Sequence, residues 1–390
     1  MAEAADTLRY DVVILSANFH IGRFQTGAGY RCLELALSLH DLGTRVAIVA
    51  PGATDFDDLP VDVLDRETLT PDDILACARV FLFCLREDPD LIEFLAGHDR
   101  SLIYDSYLSP VEQLTFASVV RMEDDQQKEN YFHGVIRTHT RFNELACSYL
   151  VGEPQEKLLK LGELINTFQV RPADHVSLGD TILPLPVVSY HRRSLPTGSL
   201  EPTGDTFLWN GGLYNHYDGV DLLIDAVTAL RESGRDVRFR FLYPGEHTLA
   251  HQRIVRRKTD EHLPYVELGA PPDFSAKAAI LASCRALVLT YGSVLQMHLF
   301  LSMRMREMLV YEKPMIVSRP GAIGAFVEEH GVGLVVDNTV GAVRDAMERL
   351  VVDASLYDAL RDNIRRLKKR YDMANFVPPI ARLITVANAG

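Results

Sequence analysis

Short apolar runs alternate with stretches of helical spacing along most of the chain. Asp11 to Phe19 (DVVILSANF) is an apolar run with a β-branched pair, as a strand covered on both faces requires. Tyr30 to Leu42 follows with apolar positions at Leu33, Leu35, Ala36 and Leu39, and Gly43 closes the predicted helix. Arg45 to Ala50 (RVAIVA) is the next predicted strand, ended by Pro51-Gly52, and Val80 to Cys84 (VFLFC) and Leu102 to Asp105 (LIYD) repeat the pattern. The stretch YHRRSLPTGSLEPTGD, Tyr190 to Asp205, lacks apolar periodicity and holds two prolines and two glycines, so it reads as a linker. Beyond it the alternation restarts with Thr206 to Trp209, a helix over Val220 to Glu232, and Val237 to Tyr243 (VRFRFLY). A helix near Ala278, Ala286 to Thr290 (ALVLT), a helix over Met303 to Tyr311, Met315 to Val317, Gly333 to Val336 and two terminal helices complete the pattern.

Strands alternating with helices predict parallel sheets covered by helices, an α/β fold. The expected organisation is an N-terminal Rossmann-like domain over 1–190, a linker over 191–205, a second such domain over 206–370, and a tail over 371–390 crossing back to the first. Two such domains facing a central cleft offer two half-sites, because open parallel sheets bind ligands at the carboxyl ends of their strands. The length of 390 residues fits two domains, each large enough for its own core.

Composition narrows the function. With 40 Lys+Arg against 53 Asp+Glu the formal charge is −13, opposite to the basic excess of a general nucleic-acid binder. No uninterrupted apolar stretch reaches membrane-spanning length. Met1 to Tyr10 lacks the basic flank and apolar run of a signal peptide, which points to the cytoplasm. Five scattered cysteines without a CxxC pair argue against zinc and against a disulfide framework. Basic clusters at Arg253 to Lys258 and Arg365 to Arg370 have helical spacing and read as solvated faces, so membrane association is expected to be weak at most.

Three segments carry candidate chemistry. Gly22 to Gly29 (GRFQTGAG) follows the first strand, where glycines permit a tight turn and the next helix start favours anions. The dinucleotide fingerprint is incomplete: Gly27 and Gly29 are present, but the third glycine position holds Cys32 and the second strand ends in Ala50-Pro51 without an acidic residue. Asn210-Gly211-Gly212-Leu213 follows the strand ending at Trp209. Arg304-Met305-Arg306-Glu307 opens a helix, where two guanidiniums make a candidate diphosphate clamp and the carboxylate can accept bonds from sugar hydroxyls.

In their order along the chain these segments resemble glycosyltransferase family 4, of the GT-B fold. Thr26 to Ala36 (TGAGYRCLELA) is similar to the acceptor-side glycine loop, Trp209 to Ala226 to the donor-domain strand–glycine–helix element, and Leu299 to Gly333 to the nucleotide-sugar element. In that family the glutamate seven residues before a proline binds the nucleotide ribose, and Glu307 stands seven before Pro314. Two departures stand out. The family's earlier glutamate, eight positions before Glu307, is replaced by Leu299, and its basic residues of the second glycine loop are replaced by Gly212 and Asp218.

The resemblance implies transfer of a sugar from a nucleotide-diphosphate sugar to an acceptor hydroxyl, with retention and without a metal, the nucleotide sugar being a co-substrate and no further cofactor being needed. Donor binding falls to Asn210, Gly211, Gly212, Leu213, Arg304, Arg306 and Glu307, and the acceptor side to Gly27, Gly29 and Arg31. The catalytic candidates are Arg304 for leaving-group charge, and Asp105 and His139 to orient hydroxyls, with His298 beside Leu299 a further one. The acceptor is a small molecule, a lipid-linked sugar or a glycan, with no nucleic-acid partner, and a homodimer is left open. Two other readings stay open: another nucleotide-sugar reaction, such as epimerisation or pseudo-glycosidic coupling, and a non-catalytic auxiliary subunit.

Overall fold

The computed structural model describes residues 8–389 except 25–26, 111–123, 154–155, 168, 171–177, 213–218, 244–248, 270–272, 292–297 and 320. The chain forms two compact units, one of Met1–Gln113, Glu129–His191 and Asp372–Gly390, the other of Leu114–Lys128 and Arg192–Tyr371.

The first unit carries a seven-stranded sheet: β1 (Val12–Leu15), β2 (Val46–Ala50), β3 (Asp62–Asp65), β4 (Val80–Cys84), β5 (Ser101–Asp105), β6 (Ser148–Val151) and β7 (Ile182–Pro184), in the order β3-β2-β1-β4-β5-β6-β7. All pairs are parallel, with Val12 opposite Val46 and Asp105 opposite Leu150. Helices cover both faces, so β1, β2 and β4 are buried at every position, and alternate residues feed different cores. Val12 and Ile14 pack with Leu33, Ala36 and Leu37 of helix Gly27–Asp41 and with Val377, Ile380 and Ile384 of helix Val377–Ala389. Val13 and Leu15 belong with Phe81, Phe83, Tyr104 and Phe142, where the Phe83 and Tyr104 rings stack at 5.3 Å. The segment before the last helix is secured to this unit by Met373 N donating to Tyr190 O at 3.0 Å, and the helix itself by Asn388 Nδ2 donating to Asp11 O at 2.9 Å.

The second unit holds β8 (Asp205–Gly212), β9 (Val237–Tyr243), β10 (Val266–Leu268), β11 (Ala286–Leu289), β12 (Met315–Ser318) and β13 (Gly333–Val336), parallel and ordered β10-β9-β8-β11-β12-β13. Its core is aromatic on β8 and β9, with Phe207, Trp209, Phe239 and Phe241 fully buried. Part of the expected linker is fastened to this unit. Lys313 Nζ donates to the carbonyls of Leu200 and Ala282, both at 2.7 Å, and Arg361 Nη1 reaches both carboxylate oxygens of Glu201 at 2.8 Å.

Strand order reverses at β1/β4 in one sheet and at β8/β11 in the other, the position where open α/β sheets bind ligands. No described helix is long and apolar enough to cross a membrane. The basic clusters are paired within their own unit: Arg253 and Arg257 with Asp221, Arg365 and Lys368 with Glu312.

Candidate active site

At the β8/β11 reversal, β8 ends in Asn210-Gly211-Gly212, with a register shift against β9 between Trp209 and Gly212. Buried Thr290 and Tyr291 follow β11. Arg304, the residue that caps helix Met305–Tyr311, lies between these two strand ends. Its Nη2 donates to Gly212 O at 2.9 Å and its Nη1 to Tyr291 Oη at 3.4 Å. The guanidinium carbon sits 5.4 Å from the Trp209 ring centre and 5.9 Å from that of Tyr291. Gly211 is where it is because of this approach: a Cβ there would lie 1.8 Å from Arg304 Nε and 2.1 Å from its Cζ. Absence of a side chain, rather than an unusual backbone conformation, is what the position needs.

Below the guanidinium lies a buried polar chain. Asn210 Nδ2 donates to Arg304 O at 2.9 Å and to Glu307 Oε2 at 2.8 Å. Glu307 Oε1 meets Lys277 Nζ at 2.6 Å, with Glu307 6% and Lys277 7% exposed. Among the described residues, two buried oxygens here have no hydrogen-bond partner, Asn210 Oδ1 and Thr290 Oγ1. Lys277 escaped the sequence reading, although it is the only cation in the otherwise apolar helix Phe274–Ser283 (FSAKAAILAS), which is the signal that marks it.

The two expected clamp arginines do not form a pair from one side. Arg304 already has helical dihedrals, and two residues along an α-helix is a rotation of about 200°, so Arg306 leaves the helix on another face. Arg306 is buried, as is Glu307. The helix that follows has only seven residues, so the setting of Arg304 comes from the strand ends and not from a long helix dipole. Leu213 and Asp218 lie outside the described residues. His298 and Leu299 are exposed.

In the first unit, Gly27 and Gly29 begin helix Gly27–Asp41, three residues ahead of the expected start. Arg31 and Asp105 come together in a buried bidentate ion pair, Nε to Oδ2 at 2.7 Å and Nη2 to Oδ1 at 2.9 Å, with side chains 2% and 5% exposed. Burial opposes the Arg31 charge, but the Asp105 carboxylate outweighs it and the Arg31 pKa is raised. His139 is on the other side of the sheet, because neighbouring strand residues point to opposite faces. It engages Tyr104, the residue before Asp105, with Tyr104 Oη 2.9 Å from Nδ1, while Nε2 lies 3.1 Å from Glu163 Oε2 and 3.2 Å from Asn143 Nδ2. Lys160 completes the group at 2.6 Å from Glu163. Burial lowers the His139 pKa. Burial alone would raise Glu163, but the His139 bond and the Lys160 charge outweigh it and hold it at about 2. Among the described residues no three His, Cys, Asp or Glu side chains converge as a metal-binding group.

Two Rossmann-like units, each with its strand-order reversal, and an arginine at the reversal of the second place the chain in the GT-B class of fold. Known structures agree on the fold. The chain aligns with sucrose-phosphate synthase from Thermosynechococcus elongatus over 97% of its own length and 99% of that protein, with TM-score 0.66 and 13% identity. It also aligns with HepE from Anabaena, solved with UDP (96% and 99% covered, TM-score 0.57, 12% identity). An α-glucosyltransferase solved with UDP and a 13-mer DNA matches over 96% of this chain and 99% of that one, with TM-score 0.63 and 10% identity. That neighbour binds nucleic acid, in contrast to the expectation for this acidic chain. No curated protein matches the chain. Residues 204–353 match the family described as Glycosyl transferases group 1, so the second unit is a glycosyltransferase domain and the protein a transferase-type enzyme.

Proposed function

We propose that the chain moves a sugar from a nucleotide-diphosphate sugar to an acceptor hydroxyl, in the cytoplasm, with retention and without a metal ion. The observation that carries this reading is the Arg304 guanidinium held at the β8/β11 reversal by Gly212 O and two aromatic rings. Breaking the glycosidic bond leaves charge on a diphosphate, and a preorganised guanidinium stabilises it without reorganising at the moment of reaction. Arg304 is therefore the catalytic residue of this reading, and Gly211 and Gly212 shape its seat.

Glu307 serves the ribose. A carboxylate offers about four lone-pair sites. Asn210 and Lys277 each occupy one, on different oxygens, which leaves acceptor capacity for two hydroxyl donors while fixing the carboxylate plane. Arg306 and Leu213 complete the donor side. In the first unit Gly27, Gly29 and Arg31 form the acceptor side, Asp105 acts as the positioning partner of Arg31, and His139 braces β5 from the opposite face. The acceptor hydroxyl's proton leaves with the departing phosphate. Binding of UDP to HepE and to the α-glucosyltransferase supports a nucleotide diphosphate as the ligand class.

Calorimetric titration with UDP and GDP tests the reading. Saturable binding of one of them, weakened at least tenfold by Arg304→Ala (about 1.4 kcal/mol) and unchanged by a chelator, is the expected result. Neither nucleotide binding, or Arg304→Ala binding as tightly as the unaltered chain, overturns it.

A further inference from the structure

Among the described residues of the first unit, two of the buried polar atoms without a hydrogen-bond partner, on Tyr107 and Glu153, lie beyond the carboxyl ends of neighbouring strands. β5 and β6 end side by side, and Ser106 N donates across to Leu150 O at 2.9 Å. Just past β5, the Tyr107 ring lies 4.8 Å from the Arg31 guanidinium carbon, and its buried hydroxyl has no hydrogen-bond partner. Just past β6, Glu153 is 5% exposed and its Oε1 has no partner. Glu156 bends back beside it. Its Oε2 accepts from Gly152 N at 2.8 Å, and a Cβ at Gly152 would stand 3.1 Å from that oxygen, so the glycine admits the carboxylate. Arg31 acts electrostatically on both glutamates.

The charges of this cluster restrict its ligand. Arg31 is the cation among these groups, and Asp105 already takes it in bidentate fashion. The groups that carry the unpaired atoms are a carboxyl and a phenol. A phosphate or carboxylate ligand would find no cation among these groups that is not already paired. An alcohol matches, because it donates to a carboxyl oxygen and accepts from the tyrosine hydroxyl. Burial, then the neighbouring Glu156 charge, pushes the Glu153 carboxyl up to about 8, so at neutral pH it holds a proton and can donate as well. Unpaired buried polar atoms cost stability that a ligand hydroxyl would recover.

We propose that the carboxyl ends of β5 and β6 form a subsite for a neutral polyhydroxylated ligand, with the Glu153 carboxyl and the Tyr107 hydroxyl as its hydrogen-bonding partners. Resting on the transferase reading above, that ligand is the acceptor sugar, and its recognised hydroxyls lie where no phosphate is welcome. Glu153 and Tyr107 are thereby specificity-determining residues of the acceptor side.

The test uses the full chain, titrated with D-glucose, myo-inositol and glucose 6-phosphate by ligand-observed NMR, and separately with UDP. The expected result is saturable binding of glucose or inositol, weaker binding of the 6-phosphate, and a loss of about tenfold in sugar affinity for Tyr107→Phe, as for one hydrogen bond. Glu153→Ala should lose more, and Glu153→Gln, which can still donate and accept, should retain most of it. UDP affinity should be the same in all three variants. The inference is overturned if neither neutral sugar binds, if glucose 6-phosphate binds more tightly than glucose, or if Tyr107→Phe leaves sugar binding unchanged. A chain that binds sugar but not UDP sinks the donor reading and leaves this subsite standing.

Discussion

Replacing Gly211 with alanine tests the seat of Arg304 without touching its charge. The added Cβ would stand 1.8 Å from Nε, 2.1 Å from Cζ and 2.6 Å from Cδ, whereas ordinary contact begins at 3.4 Å. Nε must therefore retreat by about 1.6 Å. A guanidinium moved that far loses its 2.9 Å bond to Gly212 O and its placement over the Trp209 ring. A hydrogen bond from a charged donor is worth about 1.5–3 kcal/mol, and a partly exposed cation–π contact about 0.5–1 kcal/mol. Arg304 is only partly buried, so the cost to folding should sit near the lower end of that sum, about 2 kcal/mol. The nucleotide loses more, because the displaced guanidinium no longer meets the diphosphate: a lost charge-assisted bond corresponds to roughly ten- to a hundredfold in Kd. Urea denaturation reads the first quantity and calorimetry with UDP or GDP the second. Gly211→Ala binding nucleotide within twofold of the unaltered chain would refute the argument, since it would mean that the seat of Arg304 has no bearing on the ligand.

The other predictions concern the first unit. Removing Asp105 alone leaves the Arg31 charge buried without its partner and should cost about 3–5 kcal/mol, whereas Arg31→Met with Asp105→Leu together should cost clearly less than the sum of the single changes. Denaturation of the cycle decides it, and additivity within about 0.5 kcal/mol would show that the pair is not coupled. Glu163 has a folded pKa of about 2 against an ordinary 4.5, so its stabilisation is fully present above 4.5 and is lost as pH falls towards 2. The stability gap between the unaltered chain and Glu163→Gln should therefore shrink across that window, by an amount on the order of 3 kcal/mol, and a gap constant between pH 5 and pH 2 would contradict it.

Much of the architecture is visible in the linear pattern. Val80–Cys84, Val237–Tyr243 and Gly333–Val336 coincide with the apolar runs that foretell them. Four strands escaped: β3, β6, β7 and β10 have three or four residues each, too short for a period to emerge, and β3, β7 and β10 are edge strands. The first helix begins at Gly27 rather than Tyr30, because glycines that suggest a loop here lie inside the first turn. In the site, Asn210, Gly211, Arg304 and Glu307 were legible as members of two motifs, and the structure joins them through Asn210 Nδ2. Lys277 was not, because its significance comes from a carboxylate thirty positions away.

By itself the sequence determined the alternation of strands and helices, the division into two parallel-sheet units and the motif order that resembles a glycosyltransferase, since each of these follows from local periodicity and spacing. Tertiary structure alone decided which side chains meet. Strand order brings Arg31 to Asp105 across 74 positions and seats Arg304 on Gly212 across 92. The two-residue period of β5 separates His139 from Asp105 by sending Tyr104 to the opposite face. Glycine shows the difference most plainly: its position is written in the chain, but whether it serves a turn or the close approach of a guanidinium depends on what folding puts beside it.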